Sequence, residues 1–179
     1  MPSRRQILAA ACSTGLLSGC SALASEPPSV SEQPCPPGGF VRSTASCSHT
    51  DAAENGVEVS LSSRTLDSEQ KMFDFTISVR NRGDGPIEFE STEWELWRNS
   101  GPKWARLSDA NTPTESAGSS RSDGTVRTRP GRAMTWTGLR TMFDAFDDEV
   151  QSGLYAAVIP ATRQETTIDC VAVFRIAVD

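Results

Sequence analysis

The chain has one histidine, His49, and that limits its proton-transfer chemistry. Ser-His-Asp and Cys-His catalysis both need an imidazole to carry the proton. His49 lies beside Ser48 and Cys47 in a polar entry segment, where a solvent-facing turn residue is expected. Cys35, Cys47, Cys170 and His49 would supply three sulfurs and a nitrogen for zinc, but their spacing matches no zinc module. The densest acidic group is Asp144, Asp147, Asp148 and Glu149. It lacks the Asp-x-Asp-x-Asp-Gly pattern of a calcium loop and reads as a solvated helix face. Gly38 and Gly39 follow prolines instead of ending a strand, so they do not form a phosphate loop. The expectation is no catalytic residue, no metal and no cofactor.

Chemistry of another kind is written at the N-terminus. Ser3-Arg4-Arg5-Gln6-Ile7-Leu8 resembles the twin-arginine export motif, with Ile7 where Phe is more usual. Residues 7–17 are mildly apolar, interrupted by Ser13 and Thr14, and far short of the roughly 20 apolar residues of a membrane span. Leu17-Ser18-Gly19-Cys20 resembles the lipobox of prokaryotic lipoproteins, and no acidic residue precedes Glu26. Arg4 and Arg5 are thus read as the export signal and Cys20 as the lipidation site. The expected organisation is a signal peptide over 1–19, a lipidated cysteine and flexible tether over 20–46, and one domain over 47–179. A lipid contributes about 0.8 kcal/mol per buried CH₂, and stable anchoring takes more than one chain. The expected location is the extracellular face of the cell membrane.

The formal net charge is −6, and loss of Arg4 and Arg5 makes it −8. An acidic surface disfavours nucleic acid and anionic lipid as partners. Lys71 and Lys103 are the only lysines among 17 basic residues, a balance that resembles proteins of salt-loving archaea, although high genomic GC content would also favour Arg. With Cys12 in the signal and Cys20 lipidated, Cys35, Cys47 and Cys170 allow one disulfide. Cys35–Cys47 would close a short loop worth roughly 3 kcal/mol, whereas Cys47–Cys170 would staple the domain's entry to its last strand. Both pairings are open at this point.

The elements that must position these groups are short strands. Alternation places Phe73, Phe75, Ile77 and Val79 on one face, and the same period runs through Val57, Val59 and Leu61. It recurs at Ile87 and Phe89, at Trp94 and Leu96, and at Met134 and Trp136. The last strand puts Ile168, Cys170, Ala172, Phe174, Ile176 and Val178 on its core side. Asn81 to Pro86 and Asn99-Ser100-Gly101-Pro102 are turns, the second closing a hairpin, and Pro130-Gly131 joins residues 125–129 to the Trp136 strand. Met142, Phe143, Phe146 and Val150 are spaced for a short amphipathic helix. Seven to nine strands without alternating helices predict an all-β, antiparallel sandwich.

Gly153-Leu154-Tyr155, following that helical segment, is similar to the corner of immunoglobulin-like sandwiches, where a tyrosine hydroxyl bonds back to the backbone. The order of the Asn81 turn, the Trp94–Trp104 hairpin, the Arg129-Pro130-Gly131-Arg132 link and the closing strand adds to the likeness. The chain resembles immunoglobulin-like domains of exported prokaryotic proteins, especially small haloarchaeal surface lipoproteins. Ala157 stands where antibody-type domains carry a core cysteine, so their inter-sheet disulfide is absent. The resemblance implies a fold and brings no catalytic residue.

Trp97 falls opposite Trp94 and Leu96 in parity. Pointing outward near Arg98 and Lys103, it would anchor a protein or a glycan. Packed beneath the polar loop of residues 108–124, it would be cover. The functional expectation is a non-enzymatic, lipid-anchored surface domain that binds a surface protein or glycan. The competing readings are an accessory or substrate-binding lipoprotein of a transport or redox complex, and a hydrolase working through Asp144, Asp147 or Glu149.

Overall fold

A computed structural model describes residues 29–35, 37, 44–50, 55–90, 94–101, 103–108, 124–138 and 151–177 of the chain. The described strands are β1 (Ala45–Cys47), β2 (Val57–Leu61), β3 (Thr65–Leu66), β4 (Thr76–Asn81), β5 (Ile87–Glu90) and β6 (Glu95–Asn99). They continue with β7 (Trp104–Ser108), β8 (Thr125–Thr128), β9 (Ala133–Thr137), β10 (Gly153–Arg163) and β11 (Thr166–Ile176). Eight strands make the larger sheet, and β2, β4 and β9 make the smaller one. The sheets pack face to face over one core. Phe89 of the larger sheet meets Trp136 of the smaller edge-on at 5.4 Å, and Phe75 lies 4.9 Å from Phe174. Such aromatic pairs add about 0.5–1.5 kcal/mol each beyond the area they bury.

The long hairpin β10–β11 is the axle of the larger sheet, paired along its whole length from Gly153↔Ile176 to Arg163↔Thr166. Each outer edge of the hairpin carries two strands in succession. Along β10, β6 pairs at residues 155–158 and β5 at residues 161–162. Along β11, β1 and β3 both pair in parallel, at residues 169–171 and 175–176. The expected sandwich of two packed sheets is present, but its larger sheet is forked and mixed where all-antiparallel pairing was expected, and the described strands number eleven because β1 and β3 are too short to show a period.

Pro160 explains where the fork falls. A proline inside a sheet lacks a ladder donor and is tolerated only where none is needed. Pro160 sits opposite Asp169, whose N–H donates to the Thr44 carbonyl on the far side of β11 at 2.9 Å. In an antiparallel pair, facing residues exchange both bonds or neither. Pro160 therefore turns its nitrogen toward the β6/β5 edge, in the gap between their registers, where no partner strand asks for a proton.

In the smaller sheet the inward residues are Val57, Val59, Ile77, Val79, Met134 and Trp136, all buried. Phe73 departs from its expected strand. It ends a one-turn helix, α1 (Glu69–Phe73), and is 55% exposed. Ser68 caps this helix by accepting from the Lys71 N–H at 3.4 Å, and Lys71 pairs with Asp67 at 2.7 Å. The local cap outweighs the two-residue period, and the strand begins three residues later.

Pro130-Gly131 does not close a hairpin. β8 pairs with β5 in the larger sheet and β9 with β4 in the smaller, so the chain crosses between sheets there. Asn81 holds the crossing by accepting from the Gly131 N–H at 2.8 Å and donating to the Arg132 carbonyl at 2.9 Å. The amphipathic helix expected around Phe146 and the loop of residues 109–123 lie outside the described residues.

Candidate interaction face

Strands β10 and β11 are buried on both sides. Their inward residues join the main core. Their outward residues Leu154, Ala156, Val158, Val171 and Val173 form a second apolar cluster with Val30 and Cys47. Ala45, Trp97 and Trp104 pack against it partly buried. Sheet parity decides this. Leu96 faces the core and Trp97, one residue on, the opposite side, opposite Ala156 of β10.

Trp97 packs against the body of the domain, and the loop of residues 109–123 lies outside the described residues. Trp97 lies half-buried on the outer face of the larger sheet, and its indole N–H donates to Glu95 Oε2 at 3.0 Å. Glu95 also meets Arg106 at 3.2 Å, across from Trp97 on β7. Trp104, which sequence reasoning left without a role, shares this face because β7 returns antiparallel beside β6. The hairpin turn at Asn99 to Pro102 was the signal that could have found it. Trp97, Trp104, Glu95 and Arg106 form an amphipathic patch on the outermost hairpin of the sheet. Beneath it, Arg98 faces inward, 6.0 Å over the Tyr155 ring.

The opposite end of this face is closed by the N-terminal segment. A 3-10 turn at Val30–Glu32 buries Val30 against the outer cluster. Cys35 is bonded to Cys47 with 5.9 Å between Cα atoms. His49 Nε2 lies 2.8 Å from the Gln33 carbonyl, which can only accept, so this nitrogen carries the proton. His49 is half-buried and clasped to the segment, where a solvent-facing residue was expected. The stretch expected to be a flexible tether through residue 46 is folded onto the domain at Val30 and again at β1.

Parity also settles the cysteines. β1 sets Ser46 beside Cys170 and Cys47 beside Val171, so the Cys47 sulfur points outward while Cys170 faces the core. Cys170 is the unpaired thiol, fully buried. Burial first, and the neighbouring Asp169 charge second, push this thiol far above its ordinary range, with Arg163 pulling the other way. With Cys35 and Cys47 joined, the sulfur set imagined for zinc does not exist. Among the described residues no three His, Cys, Asp or Glu side chains converge on a metal position. Arg4, Arg5, Cys20, Asp144, Asp147 and Glu149 lie outside the described residues.

No family model matches the chain, and no curated protein is significantly similar to it.

Proposed function

We propose that this protein is a non-enzymatic binding domain held on the extracellular face of the membrane by a lipid on Cys20, after export directed by Arg4 and Arg5. The observation that carries the binding role is the patch of Trp97, Trp104, Glu95 and Arg106. Two half-exposed tryptophans flank an ion pair on a hairpin whose outer strand, β7, pairs with β6 alone among the described strands. Aromatic and arginine side chains of this kind are the usual anchors of protein interfaces, and stacked rings with adjacent polar groups equally suit a glycan. The partner is a surface protein or glycan.

An immunoglobulin-like build is the reading that best suits the body. Tyr155 donates its hydroxyl to the Gln151 carbonyl at 2.7 Å, the corner tie of that class of sandwich, and its ring stacks on Phe174 at 6.0 Å. The parallel strands β1 and β3 are this chain's departure from it.

The test is crosslinking on intact envelopes with wild type, Trp97→Ala and Cys20→Ser. A partner captured by wild type and lost with Trp97→Ala is the expected result. The Cys20→Ser protein should leave the membrane fraction. Identical capture by wild type and Trp97→Ala would move the binding surface elsewhere.

A further inference from the structure

We propose that the Cys35–Cys47 disulfide, with Val30 and His49, sets how far the domain can stand from the membrane. This inference rests on the lipid anchor at Cys20 proposed above.

The argument is one of covalent length. A chain spans at most about 3.3–3.6 Å per residue. If the domain began at β1, 25 residues would separate Cys20 from Ala45 and allow a reach of roughly 80–90 Å. The body instead reaches back to Ser29, because Val30 is buried in one cluster with Cys47, Leu154 and Val173. Nine residues then remain, and the reach falls to roughly 30 Å.

Three independent ties keep it there. Val30 supplies apolar burial, and the Gln33 carbonyl is held by His49. The disulfide makes the return to the body covalent at Cys35. If Val30 and the single bond at Gln33 let go, the first fixed point moves to Cys35, 15 residues from the lipid, for a reach of roughly 50 Å. Only loss of the disulfide as well gives the full length. The clasp also seats Val30 on the face that carries Trp97 and Trp104.

The experiment uses the acylated full chain in phosphatidylcholine vesicles doped with a dansyl headgroup lipid. It reads energy transfer from the native tryptophans to dansyl. Wild type, Val30→Asp and the Val30→Asp/Cys35→Ser/Cys47→Ser triple variant are compared, with near-UV circular dichroism reporting the native core. Transfer should fall in that order, and the triple variant should match wild type carrying a 16-residue Gly-Ser insert after Ser21. Equal transfer in the three proteins, all membrane-bound and native, overturns the proposal while leaving the anchor standing. If the triple variant does not fold, the same comparison between wild type and Val30→Asp decides. Wild type that fails to bind vesicles sinks the anchor, and the reach argument with it.

Discussion

Arg163 Nη2 donates to Asn81 Oδ1 at 2.9 Å, joining the tip of the β10–β11 hairpin to the end of β4 in the other sheet. The same guanidinium donates to the Asn55 carbonyl at 2.7 Å and the Gly56 carbonyl at 3.0 Å. The Asn81 amide nitrogen donates to Gly85 at 2.8 Å and Thr128 at 3.1 Å, and its oxygen also accepts from the Gly83 N–H at 3.1 Å. Only one orientation of the amide satisfies all four contacts. Gly56 and Gly83 make room, since a Cβ on either would come within 2.6–2.7 Å of the guanidinium. One buried amide and one arginine thus close an end of the sandwich where four segments meet.

Removing that amide strands several buried groups. Asn81→Ala should cost about 2–3 kcal/mol, because unmade buried bonds cost about 1–3 kcal/mol per group. Asn81→Asp should cost at least as much, since it turns an acceptor toward two carbonyls. Urea denaturation checks both as a lower midpoint at unchanged slope.

The hairpin turn is strained. Gln164 and Glu165 have φ of 47° and 71°, the sign pattern of a type I′ turn, which favours Asn-Gly. Left-handed backbone costs roughly 1–2 kcal/mol for ordinary residues. Gln164→Asn with Glu165→Gly should stabilise by about 1–2 kcal/mol and raise the melting temperature by about 2–4 °C per kcal/mol. Calorimetry showing no rise would mean the strain is offset elsewhere.

Tyr155→Phe keeps the stack on Phe174 and deletes the hydroxyl bond to Gln151. The expected loss is about 1 kcal/mol. Tyr155→Ala, which also empties the core position, should cost about 3–5 kcal/mol. A similar loss for both would mean the hydroxyl, not the ring, holds the corner.

Cys170 should resist alkylation until the domain unfolds, because its thiol stays protonated in the core. The sign follows from linkage. The native thiol keeps its proton above pH 9.0, its ordinary ionisation point, while the unfolded one loses it. This contribution to stability is complete below that pH and is lost as pH rises, up to tenfold in the folding equilibrium per pH unit. Cys170→Ala should flatten that alkaline decline, measured against wild type between pH 8 and 10.

Much of the body is legible residue by residue. Val57 and Val59, Ile77 and Val79, Met134 and Trp136 show their faces through alternation alone, because a strand buried on one side must alternate. The Asn99 to Pro102 turn is legible because glycine and proline fit few other places. Phe73 misleads because it has the right parity, and only the cap at Ser68 tells a helical turn from a strand. The interaction face is half legible. The outward parity of Trp97 can be read, but its burial depends on β10 setting Ala156 beside it in the outer apolar cluster.

The sequence by itself determined the two-sheet, mostly β character and the inward faces of its strands, because those depend on a period of two within a few residues. It also determined that at most one disulfide could form among Cys35, Cys47 and Cys170. The tertiary structure alone decided which pair, since Cys47 and Cys170 lie on adjacent strands with their sulfurs on opposite faces. It alone placed Pro160 at the fork, Val30 under the clasp and Asn81 against Arg163. Each of these joins residues distant in the chain, and no local pattern records the register that brings them together.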